Sequence, residues 1–244
     1  MKTFLATFLM VVSTGHACLA ATRLVEPRLT LRKQEAGTKP RVALTFDACS
    51  GRTDERILSM LIDNSIPATI FVTGRWLKRN GAVFAMLNAR PDLFEIENHG
   101  AMHIPAVDRP MAIYGIPAAG SAQAVAAEVA GGAAAIEAQG ATPHWFRGAT
   151  AKYSLSSIGQ IRQMGFRVAG YSVNGDGGSL LGAPATEKRI ASVRDGDVII
   201  AHINQPTRTA GDGVVKGILD LKAKGFAFVR LDGAVEDGSD DTTN

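Results

Sequence analysis

Val42-Ala43-Leu44-Thr45-Phe46-Asp47 is an apolar run of strand length that stops on a carboxylate. Six more runs rich in β-branched or aromatic residues follow it, at residues 68–73, 94–98, 144–146, 168–173, 198–203 and 227–231. Amphipathic stretches separate them. Residues 53–64 place Ile57, Leu58, Leu61 and Ile62 on one helical face, and 75–88, 122–138, 154–164, 186–193 and 214–224 also read as helices. Gly165 and Gly225 stand where a helix end favours glycine. Strands alternating with helices imply parallel βαβ units, and seven strands so connected predict an α/β barrel or a doubly wound sheet.

Outward from this region the chain changes character. Residues 1–20 have the layout of a signal peptide: Lys2, an apolar stretch at 4–12, then small residues up to Ala20. That stretch is too short to span a bilayer, so the expected mature protein is exported, to the periplasm or the medium, without stable membrane insertion. Residues 21–40 read as a loosely packed leader, and the acidic, polar residues 233–244 as a disordered tail. Residues 104–120 carry Pro105, Pro110, Gly115 and Pro117 and read as one long loop. The chain has 244 residues, which suits one domain with a core that needs no disulfide. Its cysteines are Cys18 and Cys49, and cleavage after Ala20 leaves Cys49 alone. A net charge of +3 without any run of Lys and Arg argues against nucleic acid as a partner.

Four of the predicted strands end in Asp47, His99, Arg147 and His202. In parallel barrels and sheets the carboxyl ends of strands gather the functional groups, so these four are expected to converge. His99 and His103 are four apart, a spacing that puts two rings on one side of a helical turn, close enough to share a metal. Asp47 suits a metal ligand, a general base or a helix N-cap, and Arg147 suits the cation that keeps it ionised. His202 titrates near neutrality and can serve as a proton donor. Asp176, in Asn174-Gly175-Asp176-Gly177-Gly178, reads equally as a glycine turn or a functional carboxylate.

In this order, Thr45-Phe46-Asp47, His99-x-x-x-His103, Phe146-Arg147, Tyr171-Ser172-Val173 and Ile199-Ile200-Ala201-His202 resemble the five motifs of the polysaccharide deacetylases, the NodB-homology domains of carbohydrate esterase family 4. Gly225-Phe226-Ala227-Phe228-Val229 resembles that family's last strand. The resemblance spans 41–232 and implies a distorted (β/α)7 barrel that removes N-acetyl groups from an amino-sugar polysaccharide. It implies Asp47 as base, Arg147 as the group orienting it, and His202 as acid. It also implies His99 and His103 as ligands of a divalent metal, usually zinc, and the backbone of Thr150 facing the oxyanion.

The chain departs from the family pattern at three places. Ala48 stands where the family has a metal-binding aspartate, which leaves Cys49, Asp54, a loop residue or Asp47 as substitutes. Cys49 reads first as a small buried hydrophobe and second as a ligand. Gly148-Ala149-Thr150 replaces the usual Pro-Pro-Tyr, and Asn174 replaces the fourth motif's first aspartate, with Asp176 one residue short of the second. These changes keep two other readings open: a catalytically silent glycan-binding domain, and a hydrolase of a different amide.

Overall fold

The computed structural model describes residues 23–32, 35 and 37–232, and the backbone of 236–242; the signal peptide expected at 1–20 lies outside the described residues. In chain order the elements are β1 (Pro27–Leu31), β2 (Arg41–Ala48), α1 (Glu55–Asp63), β3 (Ala68–Val72), α2 (Gly74–Leu77), α3 (Gly81–Asn88), β4 (Phe94–Asn98), β5 (Ala112–Ile113), β6 (Ile116–Pro117), α4 (Ala122–Glu137), β7 (Trp145–Phe146), α5 (Leu155–Gln163), β8 (Arg167–Val168), β9 (Val173–Asn174), α6 (Ala183–Ala191), β10 (Val198–His202), α7 (Ala210–Ala223), β11 (Ala227–Val229) and β12 (Glu236–Thr242). The main sheet runs β8-β7-β4-β3-β2-β10-β9, all parallel, with β11 also beside β2. It curls into a distorted α/β barrel wrapped by helices.

Strand β2 shows how the sequence builds the layers. Side chains alternate across a strand. Val42, Leu44, Phe46 and Ala48 enter the large core on the helix side, which also holds Ile57, Leu58, Leu61, Val214 and Ile218. Ala43 instead joins a second, interior cluster with Phe71, Trp145, Val198 and Ile200. Thr45 and Asp47 share that inward face, where both meet Arg147. The functional side chains are therefore inward positions at the strands' carboxyl ends, while the outward positions bind the barrel to its helices.

The predicted strand at 168–173 is two strands. Arg167–Val168 pairs with β7 at one edge of the sheet, and Val173–Asn174 pairs with β10 at the other. Between them the chain crosses the barrel's seam. The predicted leader covers that seam rather than packing loosely. Leu29 donates its N–H to the Tyr171 carbonyl at 3.3 Å, Tyr171 donates back to the Pro27 carbonyl at 3.4 Å, and Leu29 and Leu31 are buried. Gly170 is required at this crossing, because a Cβ there would lie 2.1 Å from the Pro27 carbonyl oxygen.

The expectation of a disordered tail is also corrected: residues 236–242 form β12, antiparallel to β1, with Leu29 opposite Gly238. An edge strand offers unpaired backbone groups, and these pair with another backbone whatever its side chains. The helix predicted at 75–88 breaks into α2 and α3, with Asn80 between them. Its side chain accepts from the Thr53 N–H at 3.2 Å and donates to the Gly51 carbonyl at 3.1 Å, which fastens the loop after β2. The long loop at 104–120 carries only the small β5–β6 hairpin. Among the described residues no helix is long and apolar enough to cross a membrane.

Candidate active site

Asp47 ends the inward face of β2 and is buried. Arg147, just after β7, is completely buried beside it. Its Nη1 donates to Asp47 Oδ1 at 3.0 Å and to Thr45 Oγ1 at 2.9 Å, and its Nη2 donates to the Gly170 carbonyl at 3.0 Å. The guanidinium also lies over the Phe71 ring, 4.3 Å from its centre. Burial pushes the Asp47 carboxyl up, but His99, Arg147 and His202 outweigh it and hold the group below the ordinary aspartate value.

His99 and His103 do come together, with ring centres 5.0 Å apart, but not on a helical turn as their spacing suggested. Residues 99–103 form an irregular loop, with Gly100 at φ 89° and His103 at φ 64°. Glu128, buried on α4, holds this loop: its carboxylate accepts from the Met102 and Ile104 N–H groups at 3.0 Å. A Cβ on Gly100 would lie 2.3 Å from Glu128 Oε1, so glycine is needed both for the backbone angle and for this approach. Sequence reasoning missed Glu128. Its only signal was a lone carboxylate in an otherwise apolar part of the Ala-rich helix.

His99 donates its Nδ1 proton to the Arg147 carbonyl at 2.6 Å, since a carbonyl can only accept. That fixes the tautomer and leaves Nε2 with a lone pair. His99 Nε2 lies 3.6 Å from Asp47 Oδ2 and 3.6 Å from Cys49 Sγ. Burial lowers the affinity of His99 for a second proton, but Asp47 and Cys49 outweigh it and raise the ring above its ordinary value. One donor atom each from Cys49, His99 and His103 lies within 4.8 Å of the other two, a grouping that can hold a metal ion. Asp54 is excluded as a substitute ligand. It caps α1, accepting from the Arg56 N–H at 3.1 Å, and is ion-paired with the Arg56 guanidinium at 2.6 Å.

His202 ends β10, directly opposite Asp47 in the register of β2 and β10. Asp176 proves to be its close partner. The carboxylate takes the His202 N–H at 2.7 Å and the ring Nδ1–H at 3.1 Å. Burial disfavours the charged ring, but Asp176 outweighs it, and His202 is raised well above its ordinary value. Asp176 is correspondingly lowered, against the effect of its own burial. Thr150 lies in the short turn Ala149–Ala151 after Arg147, at φ 68°, with its buried hydroxyl lacking a hydrogen-bond partner among the described residues.

The barrel mouth thus brings together a carboxylate held below its ordinary value, a carboxylate-held histidine and a group of side chains that can hold a metal ion. Residues 34–169 match the model of the polysaccharide deacetylase family, and the chain belongs to that family. Solved structures share its fold, three of them as follows. A peptidoglycan deacetylase, PdaC from Bacillus subtilis, superposes with a TM-score of 0.65 at 21% identity, over 80% of this chain and 89% of that one. A family 4 carbohydrate esterase from Streptomyces lividans in complex with acetate gives 0.62 at 19% identity, over 78% and 91%. A CE4 family pseudoenzyme from Bacillus anthracis gives 0.65 at 19% identity, over 84% and 68%. No curated protein matches the chain.

Proposed function

We propose that this protein hydrolyses N-acetyl groups from an amino-sugar polysaccharide of the cell wall or extracellular matrix, in the periplasm or the medium, using a divalent metal, zinc. The observation that carries this reading is a pair of oppositely tuned groups at the barrel mouth. Arg147 favours the ionised form of Asp47 and Asp176 the protonated form of His202, with His99 and His103 alongside. A carboxylate and a histidine tuned apart in this way make a base and an acid that coexist at neutral pH.

The donor chemistry suits the metal. Nε2 of His99 keeps its lone pair because the Arg147 carbonyl takes the opposite ring proton. A divalent ion held by His99 and His103 would supply Lewis-acid polarisation of the acetyl carbonyl and of a water. Asp47 takes a proton from the attacking water as the water's oxygen bonds to the carbonyl carbon. His202 gives its proton to the sugar nitrogen as the carbon–nitrogen bond breaks, so the products are acetate and a free amine. The Thr150 N–H is the proposed donor to the carbonyl oxygen.

The competing reading, a silent glycan-binding domain, is favoured by Ala48 and by the pseudoenzyme among proteins of this fold. It gives no role to the buried Asp47–Arg147 and His202–Asp176 pairs, both of which a silent site could lose. The test combines metal analysis of the purified protein with acetate release from N-acetylglucosamine oligomers and from peptidoglycan. We expect bound zinc, acetate release, loss of metal in His99→Ala, and a rate lower by about two to four orders of magnitude in Asp47→Asn. Stoichiometric zinc in His99→Ala, or wild-type turnover in Asp47→Asn, would remove the corresponding role.

A further inference from the structure

Two histidines alone make a poor metal site, because zinc in catalytic centres takes three protein ligands and keeps one position open. The alternation of side chains along β2 shows where a third can come from. Position 48 is outward: Ala48 packs in the helix-side core with Leu58 and Leu61. A longer side chain there would enter that core. Positions 43, 45 and 47 are inward, and Cys49, the first residue after the strand, turns to the same side, its Sγ beside His99. Cys49 therefore reaches the histidines without the backbone shift that a departure from the strand's alternation would demand.

The surroundings of the thiol agree. Cys49 is buried, with its thiol hydrogen-bonded to His99 Nε2 at 3.6 Å and within the close group that includes His103. Its backbone is anchored, since the Thr73 hydroxyl donates to the Cys49 carbonyl and the Thr73 N–H to the Ala48 carbonyl. The other acids near this loop are committed elsewhere: Asp54 to Arg56 and the α1 N-terminus, Asp47 to Arg147. A small hydrophobe filling space under the barrel mouth would have no reason to sit among imidazoles.

The geometry points to Cys49 as the third metal ligand, its thiolate joining His99 and His103 in place of the carboxylate missing at position 48. This rests on the deacetylase reading above and deepens it. A thiolate with two imidazoles is a softer set than a carboxylate with two imidazoles, so it favours zinc over manganese or magnesium. It also leaves Asp47 uncoordinated and available as a base. Binding expels the thiol proton to solvent, and no oxidant or reductant takes part.

The test uses the metal itself. The protein is stripped, reloaded with cobalt(II), and its near-ultraviolet spectrum read for thiolate-to-cobalt charge transfer, with zinc affinity and acetate release measured in parallel. The wild type is expected to show the band. Cys49→Ser is expected to lose it and to bind zinc at least about tenfold more weakly. Cys49→Asp guards against a folding defect: with an oxygen donor it is expected to keep metal and lose the band. A wild type that binds cobalt without the band, or a Cys49→Ser protein that keeps the band or full zinc affinity, overturns the assignment. If acetate is released in that case, the deacetylase reading stands without it. A band without acetate release upholds Cys49 as ligand and removes the deacetylase reading instead.

Discussion

Two carboxylates sealed inside this barrel are in opposite states. Asp47 at the mouth faces the Arg147 guanidinium at 3.0 Å and is held below its ordinary value against the pull of burial. Glu97, further down the barrel on β4, feels Arg167 too weakly to offset its burial. It accepts from the N–H groups of His144 and Trp145 at 2.8 and 2.6 Å, lies beside Glu95, and burial drives it up to about 9. Burial by itself turns a carboxylate into a neutral hydrogen-bonding group, and a fixed counter-charge turns it into a base. The mouth differs from the interior less in polarity than in holding its counter-charge in direct hydrogen-bonded contact.

The sharpest way to break this contrast is Arg147→Ala, which should make Asp47 resemble Glu97. We expect deacetylation to fall by about two to four orders of magnitude. Denaturant unfolding should show a loss of about 3–5 kcal/mol, the cost of leaving a buried charge unpaired. Activity close to wild type would mean that Asp47 does not depend on its counter-charge.

A smaller effect is expected from Asp176→Asn, which removes the carboxylate that raises His202. The acid must be protonated to act, so wild-type activity should persist up to the raised value and fall above it. Without Asp176 that value drops, and the alkaline limb of the pH–rate profile should move to lower pH while the acid limb stays in place. An unmoved alkaline limb would separate His202 from proton donation.

The smallest effect belongs to Glu97→Gln. A group already protonated at neutral pH loses little when replaced by an isosteric amide, so activity should hold and stability at pH 5 should change by less than about 1 kcal/mol. The sign then follows from linkage. The folded value lies above the unfolded one, so the native protein binds the extra proton between them and the wild type loses stability as pH rises toward 9. The Gln variant lacks this loss and should gain on the wild type over that window, a trend that unfolding curves at several pH values would read.

Most of the barrel was legible because a strand's signature is local: residues 94–98 read as β4 from β-branched and aromatic character alone. The seam was not, since nothing within 168–173 says that its two halves pair with opposite edges of the sheet. Asp47, His99, Arg147 and His202 were visible as polar residues ending apolar runs, and His103 by its spacing from His99. The way His99 meets His103 was not, because the loop conformation depends on Glu128, 25 residues beyond His103 and on another element. Asp176 looked misplaced while motif spacing was the guide, yet contact with His202 needs only that β9 and β10 be neighbours. The inward facing of Cys49 was present in the alternation 43, 45, 47, 49, and the habit of placing a ligand at 48 concealed it.

The covering of the seam also bears on how the chain folds. Units such as β2-α1-β3 join segments close in sequence, whereas β1 meets Tyr171 and β12 across about 140 and 200 residues, where loop-closure entropy is greatest. The seam is therefore the natural last event in assembly, and the two chain ends act together as its clasp. Shortening either end should leave the barrel's local units able to form but slow the final closure, and the buried side of Trp145 would report the delay as fluorescence that reaches its native value late.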